Sequence, residues 1–179
     1  MLRITIPGRE FWDEVNDEFV SYDDYELELE HSLVSLSKWE SKWHKPFSTT
    51  DMNAEQTLDY IKFMTVNSGV DPDIYTRLTQ ENIEEIRGYI SNPMTATTFS
   101  KEQGGKRNNE IVTSELIYYW MIALNIPFEC QYWHLNRLMT LIRVCSIKNA
   151  PAKKMSKNDI RRQNAALNAA RLKQFNTNG

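Results

Sequence analysis

The stretch that most constrains the fold is residues 111–145, IVTSELIYYWMIALNIPFECQYWHLNRLMTLIRVC, a run of large apolar side chains broken by a single proline, Pro127. Between Glu115 and Asn125 nearly every side chain is apolar. The run is too long for an ordinary strand and too short for a membrane span of roughly 20 residues, which predicts a buried helix. Thr113 or Ser114 offers a hydroxyl to cap its first turn, where Glu115 also complements the helix dipole. Pro127 cannot continue that helix, because it lacks a backbone donor, but it suits the first position of another. A second helix is therefore expected from about Pro127 to Ile147, with Tyr132, Leu135, Leu138, Ile142 and Cys145 on one core-facing stripe. Together the two make a central helical hairpin.

Within the second helix, WHLNR sets polar groups beside Trp133 and the leucines. Two readings stand. Either His134 and Asn136 satisfy hydrogen-bonding partners at the edge of the core, or Trp133, His134, Asn136 and Arg137 form a surface on which a partner docks.

Ahead of this hairpin, Leu2 to Ile6 alternates as a strand does and closes on Pro7-Gly8, and Tyr25 to Glu30 alternates in the same way, so the two are expected to pair. Between them the acidic, aromatic residues 8–24 read as a helix through Phe11, Trp12, Val15 and Phe19 or as a loop packed by its aromatics. Leu33, Leu36, Trp39 and Trp43 predict a helix after Ser32, ended by Pro46. A third helix is expected from Asn53 to Val66, with Leu58, Ile61 and Met64 inward and Asn67-Ser68-Gly69 as its stop. Asp71 caps a short helix with Pro72 at its first position, and Thr79 caps another carrying Ile83, Ile86 and Ile90, ended by Asn92-Pro93. Met94 to Phe99 reads as a strand in a hairpin with Glu110–Val112, with residues 100–109 at the tip. Gly104-Gly105-Lys106 lacks the earlier glycine of a phosphate loop and reads as a solvated turn.

After Asn149-Ala150-Pro151, Ser156 and Asp159 approximate a capping box for a tail helix reaching about Gln174. Its few large apolar groups suit weak docking or ordering on a partner. The expected fold class is mainly α with a small β component (α+β), made of a globular domain over 1–150 and a basic helical or partly disordered tail over 151–179.

The chain is 179 residues long with 41% apolar residues, enough to bury a core without staples. Its net charge of −3 conceals a split: from Arg137 onward ten basic residues face Asp159 alone, giving +9, whereas the preceding residues carry −12. An acidic body with a basic end points to nucleic acid, or to attraction between the tail and an acidic surface on a partner or another copy. Cys130 and Cys145, placed on one predicted helix about 22 Å apart, are beyond disulfide reach. Three histidines without paired spacing give no zinc motif. Asp71 and Asp73 lack the ligand spacing of a calcium loop. No nucleophile has an identifiable base and orienting partner, so a binding protein is expected rather than an enzyme, without cofactor or metal. With no apolar leader and no run of membrane-spanning length, the expectation is a soluble, cytoplasmic protein.

LELEHSLVSLSKWESKW, IVTSELIYYWMIALNIPFECQYWHLNRLMTLIRV and MSKNDIRRQNAALNAARLKQ resemble a group of small proteins encoded among the tail genes of long-tailed bacteriophages, over most of the chain. The shared motifs are structural rather than catalytic. The resemblance implies a tail assembly chaperone in the host cytoplasm that holds the tape-measure protein, recruits tail-tube subunits and is absent from the finished particle. A minor virion structural or tail-completion protein is the neighbouring alternative, and a nucleic-acid-binding module through the basic tail is another. The residues expected to grip a partner are Trp133, His134, Asn136 and Arg137, with Lys153, Lys154, Lys157, Arg161, Arg162, Arg171 and Lys173 as a second contact. Self-association is a further expectation.

Overall fold

The structure, a computed structural model, describes residues 1–13, 17–99, 110–150 and 157–175. It is mainly α-helical with a small β component. Strands β1 (Leu2–Ile6) and β4 (Tyr25–Leu29) pair antiparallel, as the alternation predicts, and bury Ile4, Ile6, Leu27 and Leu29 on one face. Each of those side chains contributes about 1.5–3 kcal/mol by leaving water.

Residues 8–24 correct the expectation of a helix or a packed loop. They hold β2 (Arg9–Asp13) and β3 (Glu18–Tyr22), a second antiparallel pair. In both pairs the numbers of facing residues add to 31, as in Ile6↔Tyr25 and Arg9↔Tyr22. The four strands are thus one hairpin in one register, interrupted where Pro7 removes a ladder donor. Gly8 is needed beside that break: a Cβ there would lie 2.3 Å from the Tyr22 carbonyl oxygen. Its N–H donates instead to Asp24 Oδ1 at 2.7 Å. Period-2 pairing of Trp12 with Phe19 wins over the helical spacing because β1 and β4 already hold the two arms together.

Helices α1 (Leu33–Trp43), α2 (Ala54–Met64) and α3 (Gln80–Ser91) start at Ser32, Asn53 and Thr79, each in a reciprocal capping box. Asp71 caps the 3₁₀ turn Pro72–Arg77. α1 ends at His44, whose φ of 52° breaks the helix before Pro46 is reached. Residues 94–99 form no strand, contrary to expectation. Their threonines bond locally, Thr95 Oγ1 accepting from Thr97 N and Asn92 Oδ1 from Met94 N, in competition with a ladder. The tip expected over 100–109 lies outside the described residues.

In the central stretch, α4 (Ser114–Ala123) ends before Asn125, which takes φ 52°. Pro127 then opens only a 3₁₀ turn, Phe128–Tyr132, and α5 (Leu135–Asn149) starts eight residues later than expected. The two cysteines therefore sit on different elements, Cys130 in the turn and Cys145 on α5, both as free thiols. Leu135, Leu138 and Ile142 face the core as predicted, but Tyr132 is exposed.

The buried side chains form two clusters. One joins the β1–β4 pair to Trp39, α2, the Pro72–Arg77 turn and α3; the other joins Leu33 and Leu36 to α4, the Phe128–Tyr132 turn and α5. α1 supplies both. Residues Met1–Lys148 make one compact unit and Asn149–Gly179 another. The second unit holds α6 (Lys157–Phe175), whose described side chains are all exposed. The capping box expected at Ser156 and Asp159 lies outside the described side chains. Among the described residues, no helix is long and apolar enough to cross a membrane.

Candidate partner-binding surface

His134 and Asn136 turn inward rather than toward a partner. His134 is buried; its Nε2–H donates to the Tyr89 carbonyl at 3.0 Å, and its Nδ1 accepts from Asn136 N at 3.3 Å. Asn136 Nδ2 donates to the carbonyls of Ile90 and Asn92 at 2.9 and 2.8 Å. The start of α5 therefore satisfies carbonyls that the last turn of α3 leaves open. Leu135 N donates to the His31 carbonyl at 2.7 Å, which fixes the same corner to the end of β4.

Beneath it lies a second histidine. The His31 and His134 rings meet edge to face at 5.1 Å, and His31 Nδ1 is 2.5 Å from the Tyr60 hydroxyl. Burial, then the neighbouring His134, brings the His31 pKa down to about 3. Burial also lowers His134, against the opposing pull of the Tyr89 carbonyl and Glu30. Both rings are neutral structural groups at pH 7. Of the WHLNR side chains only Arg137 is exposed; Trp133 is half-buried against the second cluster, with the guanidinium 4.1 Å from its indole centroid.

The larger surface feature lies one element earlier. α4 was expected to be buried, yet it buries one face only, through Ser114, Ile117 and Met121. Its start is fixed from afar: the Thr113 side chain makes no cap bond, and Ser114 N donates to the buried Glu40 Oε2 at 2.7 Å across 74 residues of sequence. The other Glu40 oxygen accepts from Phe47 N at 2.8 Å. Glu115 adds a carboxylate in the first turn, held below the usual range by its own backbone N–H and then by the Thr113 hydroxyl.

Tyr118 and Trp120 pack half-buried against the second cluster, and the residues beyond them face outward. Tyr119 and Ile122 are 63% and 61% exposed, and Phe128 and Tyr132 in the following turn are 52% and 63% exposed. Tyr118 links helix to turn: its ring lies 6.5 Å from that of Phe128 and its hydroxyl donates to Gln131 Oε1 at 2.9 Å. An apolar helix whose outer face is left uncovered presents a surface suited to another protein. A groove of about 720 Å³ also opens between α4 and α5, lined by Phe99, Trp120, Met139, Ile142 and Arg143. There the Arg143 guanidinium lies 3.9 Å from the Phe99 ring centroid.

Tyr119, Ile122, Phe128 and Tyr132 were missed as site residues because an apolar run reads as core. The available signal was its excess: ten residues of helix need only one apolar stripe. Of the basic tail residues, Lys157, Arg161, Arg162, Arg171 and Lys173 lie exposed on α6, whereas Lys153 and Lys154 lie outside the described residues. Among the described residues, no group of three or more His, Cys, Asp or Glu could hold a metal ion. Compared with models of known families, with characterised proteins and with solved structures, the chain matches none.

Proposed function

We propose that this chain is a bacteriophage tail assembly chaperone, holding the tape-measure protein and tail-tube subunits in the host cytoplasm before assembly. The observation that carries the reading is the uncovered apolar face of α4 and its following turn, Tyr119, Ile122, Phe128 and Tyr132. A chaperone for a long, aggregation-prone helical client needs such a face. An amphipathic client helix laid on it would bury apolar area on both partners, as in helix-in-groove recognition. The grip is releasable because it rests on a modest patch rather than on a deep pocket. Copies would coat the client, shield it from self-association, and leave as tube subunits polymerise. The resemblance to phage tail-cluster proteins supplies the identity of the client; the patch supplies the means.

The test is a pull-down with tagged protein from infected cells beside mass spectrometry of purified virions. Recovery of the tape-measure protein, together with absence of this chain from particles, is the expected result. Stoichiometric presence in particles would overturn it in favour of a minor structural or tail-completion protein.

A further inference from the structure

Two segments of this chain carry opposite charge. The first is the distal half of the hairpin, β2 and β3, none of whose described side chains belongs to either cluster. Its aromatic pair, Trp12 and Phe19, meets edge to face at 4.8 Å, and Phe19 is 77% exposed. A two-stranded ribbon alone is marginal in water; this one is held in register by β1 and β4 at its root. Among its described residues from Arg9 to Asp24, six acids (Glu10, Asp13, Asp17, Glu18, Asp23 and Asp24) stand against Arg9, for a net −5.

The second segment is α6, a helix of 19 residues with five basic side chains against Asp159, for a net +4. Ile160, Leu167 and Phe175, spaced by seven and eight residues, share one helix face, and all three are exposed. Most helix stability in proteins comes from packing of an apolar face. Each segment thus presents exposed apolar side chains within a field of one sign.

We propose that the acidic β2–β3 arm of one copy binds the basic α6 of a second copy, and that reciprocal exchange of the two contacts makes a dimer. The opposite charges steer and orient the encounter. Trp12 and Phe19 against the Ile160–Leu167–Phe175 face supply the apolar burial. Every copy owns one arm and one α6, so a two-fold pair uses both contacts and closes. This goes beyond the client-binding role of α4 and involves none of its residues, so client capture and dimerisation can fail independently.

The experiment is sedimentation equilibrium of the purified full-length protein without client. Wild type is expected to dimerise at micromolar concentration, with at least a tenfold weaker constant in high salt. An arm variant, Glu10→Lys with Glu18→Lys, and a helix variant, Arg161→Glu with Arg171→Glu, are each expected to be monomeric. Mixed one to one they are expected to form a heterodimer, since each reversed segment then meets its complement. All four positions are exposed, and a single cooperative thermal transition in each variant would confirm that both fold. A wild type that stays monomeric, including through docking within one chain, would overturn the proposal. So would a dimer indifferent to both reversals, or a mixture that does not reassemble.

Discussion

At the scale of single residues, the side chains that looked most functional are the ones holding the body together. His134 uses both ring nitrogens, and Asn136 both amide hydrogens, on backbone groups. Whether a polar residue in an apolar setting turns in or out depends on where α3 ends, which lies more than forty residues away and is invisible in WHLNR itself. The same holds for Glu40, whose two carboxylate oxygens accept from Phe47 N and Ser114 N. Glu40→Ala would leave two N–H groups without partners and is expected to cost about 3 kcal/mol in urea unfolding. Glu40→Gln, which keeps one acceptor, should recover part of that. The histidines carry a pH signature. His31 titrates near 3 in the folded chain against 6.5 when exposed, so between those values the unfolded state binds the extra proton. Its contribution is fully present above pH 6.5 and is lost as pH falls toward 3, at about 1.4 kcal/mol per pH unit. The lowering of His134 acts in the same direction. Urea midpoints from pH 7 to pH 4.5 should fall steeply in wild type and less steeply in His31→Gln; parallel curves would contradict the assignment.

Among the elements, those with local punctuation were legible in the sequence. Asp71 and Thr79 cap where caps were expected, and Ser32 and Asn53 cap the two helices expected to begin beside them, because a cap needs only its next two or three residues. Elements decided by distant partners were not legible there. The β2–β3 ribbon exists because β1 and β4 set its register, and Phe11, Trp12, Val15 and Phe19 fit a helix period well enough to mislead. Pro127 suits the first position of a helix, yet it opens a single 3₁₀ turn that re-aims the chain before α5. Gly8 tests the ribbon. Gly8→Ala would drive a methyl into the Tyr22 carbonyl and is expected to destabilise by about 2 kcal/mol, the scale of other overpacked sites. Unfolding by urea would show it, and an unchanged midpoint would mean that the two halves of the hairpin are not coupled at this break.

For the whole molecule, the division of labour follows from what is left uncovered. The body buries its polar clusters and two apolar cores, and it leaves the outer face of α4 exposed. The fold class was readable from periodicity and caps. The candidate site was only half readable: exposed basic residues announce themselves by charge, but an exposed apolar helix face looks like core until its neighbours are known. The most direct test of the account is co-expression of the tape-measure protein with wild type and with Ile122→Asp, a substitution at an exposed position that should shift the thermal midpoint little. The expected result is a soluble complex with wild type and at least a tenfold loss of captured client with the variant. Equal capture by both would remove the α4 face from the account.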